Sequence, residues 1–109
     1  MIFHITTQGE WAAGLAQGAY VALSFATEGF IHSSLLRQVA GVHHRFFAGQ
    51  TDLVVLVIDP SRLNAELRYD PVAQDHFPHI YGPINPSAVV RVVTVPPGAD
   101  IASLLGTEY

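Results

Sequence analysis

The chain has 109 residues, half of them hydrophobic and 13% charged, with a net charge of −4 at pH 7 and no cysteine. This composition excludes a disordered chain, and the length predicts a single domain over residues 1–109. The five basic residues are all arginines and form no cluster, which excludes a nucleic-acid partner because a phosphate backbone requires a basic face. No apolar run approaches the roughly 18 residues of a membrane span and no signal peptide is evident, so we expect a cytoplasmic protein without a membrane partner.

The first two predicted elements are a strand and a helix. Residues 2–6 alternate in the manner of a half-buried strand. Thr7 and Glu10, three residues apart, form the capping-box pattern that begins a helix. Trp11 and Leu15 lie four residues apart on this helix, so we expect both to face the core.

The segment 26–34, with the sequence ATEGFIHSS, follows a short extended segment and is predicted to lead from a strand into a helix. Gly29 allows a positive φ or the close approach of a ligand. A serine at the end of the segment, such as Ser34, is expected to cap the next helix, whose first amides then point toward Glu28 and His32. The pattern predicts the floor of a pocket, and a capped turn with a solvated glutamate is the alternative.

The middle of the chain predicts a helix and a buried strand. Apolar residues recur at helical spacing over residues 35–47, with Val39 and Phe46 in the buried stripe. Residues 53–58 are continuously apolar, which is typical of a central strand buried on both faces. Asp59 is expected to cap the short turn that follows, because a proline occupies the next position.

The last third of the chain contains a second informative stretch. Residues 67–69 predict a short edge strand, and the polar segment 70–78 with its two prolines predicts a loop that can act as a lid. His79 and Tyr81 share one strand face before a Gly-Pro turn, which predicts another pocket wall. Two further elements close the chain: a strand over residues 89–95 and a turn of helix over residues 100–105.

The candidate site combines side chains from three of these segments. Glu28 and His32 are the candidate catalytic residues, because a carboxylate and an imidazole can exchange protons near neutral pH. The candidate ligand-binding residues lie in or near the same segments: His4, Thr6, Ser24, Gly29, Ser34, His79 and Tyr81. Three strand-borne imidazoles could also hold a transition metal, but no recognised metal-binding spacing is present, and we assign no metal ligand.

Three stretches carry a resemblance to a known family: IFHITT at residues 2–7, ATEGFIHSS at 26–34 and HIYGPI at 79–84. In these stretches the chain closely resembles the small bacterial family called domain of unknown function 952. The resemblance implies an α+β fold similar to the ADP-ribosylation superfamily. Because strands and helices follow without a regular βαβ rhythm, we expect a single compact domain with a mixed, mainly antiparallel curved sheet and two main helices.

The wider superfamily suggests a ligand. The FHIT sequence at residues 3–6 is similar to the first-strand motif of poly-ADP-ribose polymerases, in which the histidine contacts a ribose hydroxyl of NAD. Ile5 stands where those enzymes have a glycine whose backbone holds nicotinamide, and no glutamate lies on the late strand.

The leading hypothesis is therefore a His- and Glu-lined pocket for an NAD-like, ribose or nucleotide small molecule, with NAD or a related nucleotide as the ligand. A non-catalytic ligand-binding or protein-interaction module and a metal-dependent enzyme using the histidines are the alternatives. The oligomeric state is not predicted.

Overall fold

The computed structural model describes residues 1–107 and 109. Its elements follow in chain order: β1 (Ile2–Thr7), α1 (Gln8–Gln17), α2 (Phe25–Glu28), β2 (Ile31–His32), α3 (Leu36–Val42) with a π-helical turn (His43–Phe47), β3 (Leu53–Ile58), a 3-10 turn (Pro60–Arg62), β4 (Glu66–Val72), β5 (Asp75–Tyr81), a 3-10 turn (Pro86–Ala88), β6 (Val89–Val95) and α4 (Ile101–Leu105). The predicted α+β class is confirmed. The strands form two three-stranded antiparallel sheets rather than one mixed sheet.

The first sheet has the order β1-β3-β6 and contains the most buried strand. All six residues of β3 are buried, so the predicted central strand is confirmed. Its side chains alternate between two hydrophobic clusters: Leu56 packs with Ile2 and Tyr20 on one side, and Val55 packs with Phe3 on the other. The sheet is therefore covered on both faces, as its continuous apolar sequence predicts.

The second sheet has the order β2-β5-β4, and one of its faces packs against the hydrophobic core. Ile31 and Ile80 point into the core, whereas the paired residues His32 and His79 lie on the opposite face. Opposite residues of an antiparallel pair project from the same face, so this outer face carries the polar side chains of all three strands.

The predicted lid loop over residues 70–78 is wrong, because these residues form most of a β-hairpin between β4 and β5. Ala73 has a positive φ of 55° at the turn. Pro71 lies on the outer strand, where a missing amide is tolerated, and the carbonyl of Pro78 accepts hydrogen bonds from Ser33. Cross-strand pairing has overridden the local preference of the prolines for a loop.

The segment between α1 and α3 differs from the predicted strand-to-helix transition. A short helix, α2, occupies Phe25–Glu28, and Gly29 ends it with a φ of 79°, which confirms the need for glycine there. The predicted serine cap is wrong: Ser34 pairs with the backbone of Phe3 instead. The helix begins after Leu35, whose amide donates to the side chain of Gln38.

The predicted helices keep their extent but not all of their buried residues. In α1, Trp11 packs against the core, whereas Leu15 is 50% exposed, so the expectation for Leu15 is wrong. In the second helix the buried Val39 is as predicted, but Phe46 is 62% exposed and Phe47 packs against the core. The π-helical turn adds one residue to a helical repeat and thereby rotates Phe46 out of the stripe. Within the described residues, no helix is long and apolar enough to cross a membrane.

Candidate functional site

A cleft of about 570 Å³ lies between the outer face of the second sheet and the π-helical turn. Its lining residues come from four parts of the chain: Phe3, His4 and Ile5; Glu28, His32, Ser33 and Ser34; Val42, Arg45, Phe46 and Phe47; and Val72, Ala73, Asp75, Phe77 and His79. One wall is thus polar and rich in imidazole and carboxylate groups. The other wall is mainly aromatic and apolar.

His32 and Glu28 form an exposed pair at the mouth of the cleft. The carboxylate oxygen Oε2 of Glu28 contacts Nε2 of His32, four residues later in the chain. The side chain of Glu28 is 43% exposed and that of His32 is 55% exposed, so a ligand can reach both. Nδ1 of His32 has no hydrogen-bond partner within residues 1–107 and 109.

His79 lies beside His32 and is much more enclosed. The two ring centroids are 5.4 Å apart and the ring planes are nearly perpendicular. Phe30 stacks on His79 with a centroid distance of 4.0 Å and an interplanar angle of 13°. Nδ1 of His79 lies 2.9 Å from the carboxylate oxygen Oδ2 of Asp70. The ring is therefore held by a stacked aromatic group on its face and a carboxylate at its edge.

Asp70 also accepts a hydrogen bond from the hydroxyl group of Tyr81 on the same oxygen, Oδ2. This bond is the main cause, ahead of the bond from His79, of an Asp70 carboxyl pKa below its usual range. The same bond raises the pKa of Tyr81. The guanidinium group of Arg68 lies over the Tyr81 ring, 4.6 Å from its centroid. Asp70 is thus an ionised carboxylate with two side-chain donors.

His4 belongs to a buried polar chain rather than to the open part of the cleft. Its Nδ1 bonds to the backbone carbonyl of His32, and its Nε2 lies 2.8 Å from the Tyr20 hydroxyl group. That hydroxyl lies 2.9 Å from Oγ1 of Thr6, which donates to Glu10 at 2.6 Å. Burial lowers the His4 pKa to about 4 and raises the Tyr20 pKa to about 12.

Five of the nine predicted site residues line the cleft: His4, Glu28, Ser34, His32 and His79. The other four do not line it: the Thr6 hydroxyl faces Tyr20 and Glu10, Ser24 and Gly29 flank α2, and Tyr81 borders a separate hollow of about 440 Å³. Within the described residues, no group of three or more histidine, aspartate or glutamate side chains is arranged to hold a metal ion.

Two features of the cleft differ from the prediction: Asp70 and the aromatic wall. The prediction places Asp70 in a loop, although the alternation of Glu66, Arg68 and Asp70 indicates a strand with one polar face. It places Phe46 in the core, and no local signal indicates the π-helical turn where Phe46 is exposed.

Fold and cleft together define a small α+β domain built from two antiparallel sheets, with a histidine-rich cleft beside the second. A family model described as "Protein of unknown function (DUF952)" matches residues 5–92, and the chain belongs to that family. The resemblance inferred from the sequence is thereby confirmed.

Solved structures of one relative support the same fold. The crystal structure of protein CC0527 from Caulobacter crescentus is 32% identical, with a TM-score of 0.83 over 91% of this chain and 89% of that one. The solution NMR structure of CC0527 gives a TM-score of 0.78 over 91% of this chain and 87% of that one, also at 32% identity. No curated protein matches the chain. The likeness to the ADP-ribosylation superfamily stays a prediction.

Proposed function

We propose that the cleft binds a small ribose-containing molecule, a nucleotide or an NAD-like compound, and that Glu28 and His32 perform acid–base chemistry on it. The observation that carries this proposal is the polar wall. There, two imidazoles 5.4 Å apart each contact a carboxylate, and the wall faces an aromatic surface. The cleft volume of about 570 Å³ suits a ligand of this size.

The edge of β1 supports an amide-bearing ligand. Phe3 exchanges both of its backbone hydrogen bonds with Ser34. Backbone polar groups of alternate residues in a strand point to the same side, so those of Ile5 point toward the cleft as well. The bridge between Phe3 and Ser34 is isolated, so Ile5 is not paired with His32, which would be its partner in a continued ladder. A primary carboxamide such as that of nicotinamide would complement the backbone amide and carbonyl groups of Ile5.

The aromatic wall supports the planar part of a nucleotide. Phe46 is largely exposed at the rim, and Phe77 is half-buried on the opposite side. Exposed aromatic rings stack on planar bases with a favourable free energy of about 1–3 kcal/mol. Arg45 lines the same part of the cleft and provides a positive charge for one phosphate group.

Calorimetric titration with NAD, ADP-ribose and AMP tests the binding step. We expect a Kd roughly in the micromolar to millimolar range. His32→Ala should weaken binding by up to about tenfold, the equivalent of one hydrogen bond. His44→Ala is the matched control, because His44 is exposed but does not line the cleft. The proposal fails if no ribose ligand binds, or if both variants weaken binding equally.

The alternatives have separate readouts in the same experiment. Chromatography of the ligands after incubation detects turnover, which Glu28→Gln should abolish. Binding without turnover supports a non-catalytic module. The metal-dependent alternative would be supported by a third result. The wild type would bind zinc or nickel stoichiometrically, His32→Ala would not, and neither protein would respond to ribose ligands.

A further inference from the structure

We propose that Asp70 is a positioning residue that fixes His79 as the tautomer with its proton on Nδ1, so that Nε2 faces the cleft as a proton acceptor. His79 is then a proton-transfer group in addition to the pair formed by Glu28 and His32. The inference rests on the proposed function for the presence of a hydroxyl-bearing ligand, but the tautomer is a property of the free protein.

The hydrogen-bond pattern determines which nitrogen carries the proton. An ionised carboxylate can only accept hydrogen bonds, so Nδ1 of His79 must be the donor in its 2.9 Å contact with Asp70. Asp70 is kept ionised by the donated bond from Tyr81, which lowers the carboxyl pKa. In a neutral imidazole, a proton on Nδ1 leaves a lone pair on Nε2.

The second nitrogen is free to act. Nε2 of His79 has no hydrogen-bond partner within residues 1–107 and 109. Every side-chain nitrogen or oxygen of those residues that is fully buried has a hydrogen-bond partner, so the unpaired Nε2 is not fully buried. The side chain of His79 is only 5% exposed, and Nε2 contributes to this exposed area. Because His79 lines the cleft, Nε2 is within reach of a bound ligand.

The environment also fixes the ring orientation. Phe30 covers one face of the ring at 4.0 Å, and His32 meets it edge to face. Asp70, on the neighbouring strand β4, contacts the Nδ1 edge of the ring. It is paired with Phe77 and is therefore a diagonal neighbour of His79 across the ladder. A ring held on these sides cannot rotate to present Nδ1 to the cleft without losing the bond to the carboxylate.

This arrangement suits proton removal from a ligand hydroxyl group. The O–H bond of the ligand breaks, an N–H bond forms at Nε2, and the Asp70 carboxylate balances the positive charge of the imidazolium. His32 is close enough to supply a proton to another atom of the same ligand. The class of substrate is therefore a molecule with a free hydroxyl group next to the reacting bond, as in ribose.

Long-range 1H–15N correlation spectra of the 15N-labelled free protein test the tautomer directly. We expect His79 to carry its proton on Nδ1 in the wild type and to lose this preference in Asp70→Ala, because alanine cannot accept the Nδ1 proton. Tyr81→Phe is the matched control and should leave the tautomer unchanged, since it keeps the carboxylate. A wild-type proton on Nε2 overturns the proposal without the use of any variant. An unchanged tautomer in folded Asp70→Ala also overturns it.

Kinetics then separate this inference from the proposed function. If a ribose ligand is turned over, Asp70→Ala should lower the rate by about a hundredfold or more while changing ligand affinity less than threefold. Equal rates in the wild type and Asp70→Ala would contradict a positioning role. Failure of every ligand to bind would contradict the proposed function but leave the tautomer result standing.

Discussion

At the scale of single residues, His4 shows how burial changes the chemistry of a histidine. The carbonyl of His32 can only accept a hydrogen bond, so Nδ1 of His4 carries the proton. Nε2 of His4 lies 2.8 Å from the hydroxyl oxygen of Tyr20, whose single proton is donated to Oγ1 of Thr6. Burial lowers the pKa of His4 and so favours an uncharged imidazole where the two sheets meet. His4 thus contributes to the geometry of the cleft through the backbone of His32.

This burial predicts a specific loss of stability in mild acid. The ordinary pKa of a histidine side chain is 6.5, which applies to the unfolded chain, and the pKa of His4 in the folded protein is about 4. The unfolded chain therefore binds more protons between these values, and stability should fall as the pH decreases from 6.5 to 4, by about 3 kcal/mol. Urea unfolding at several pH values measures this change.

The variant His4→Gln should unfold with a much smaller pH dependence in this window, although it should be less stable overall. His44→Gln is the control and should keep the wild-type dependence. The carboxyl groups with lowered pKa values, such as Asp59 and Glu66, lose their stabilising effect only below about pH 4.5. An unaltered pH profile in His4→Gln would contradict the assignment.

At the scale of elements, two helical glycines have different reasons to be glycine. A Cβ atom at Gly14 of α1 would lie 2.9 Å from Cα and Cβ of Tyr20. At Gly41 of α3, a Cβ atom would have no atom within 4 Å among the described residues outside its own stretch of helix. The first glycine is required by close packing against a core residue. The second glycine is not required by packing, and its helix propensity is lower than that of alanine.

The pair predicts opposite changes in the free energy of unfolding. Gly14→Ala should lower it by about 1–3 kcal/mol, because the backbone of Tyr20 must move. Gly41→Ala should raise it by about 0.5–1 kcal/mol, because alanine favours the helix. Urea denaturation of both variants measures the difference. Equal effects of the two substitutions would show that α1 does not pack on Tyr20 as described.

At the scale of the whole molecule, β3 is the element that both hydrophobic clusters share. Leu56 is fully buried, and its partner on the edge strand β6 is Val92, which is 41% exposed. The two positions are neighbours in the same sheet and differ mainly in burial. They allow a direct comparison of the core with the edge.

Leu56→Asp should prevent folding, because an unpaired charge in the core costs several kcal/mol against a total stability of about 5–15 kcal/mol. Val92→Asp should change the stability by about 1 kcal/mol or less, since its carboxylate stays in water. Circular dichroism melts measure both. A cooperative melt of Leu56→Asp near the wild-type temperature would contradict the central position of β3.

Elements whose signals are local can be predicted from the amino-acid sequence. Continuous apolar residues predict β3, alternation predicts β1, a strand is predicted over residues 89–95, and the immediate neighbours of Thr7 and Asp59 predict that both are caps. Gly29 was recognised because a positive φ strongly favours glycine. These features depend on a few consecutive residues, so the printed sequence contains the information needed to predict them.

The contacts between side chains of different elements depend on how the whole domain packs. Asp70 reaches His79 because of the register between β4 and β5, and prolines in both strands concealed that pairing from local reasoning. Phe46 faces the cleft because one π-helical turn rotates it away from the core. Register and helical phase are set by packing over the whole domain, so residues close in space but distant in sequence carry no local signal of their contact.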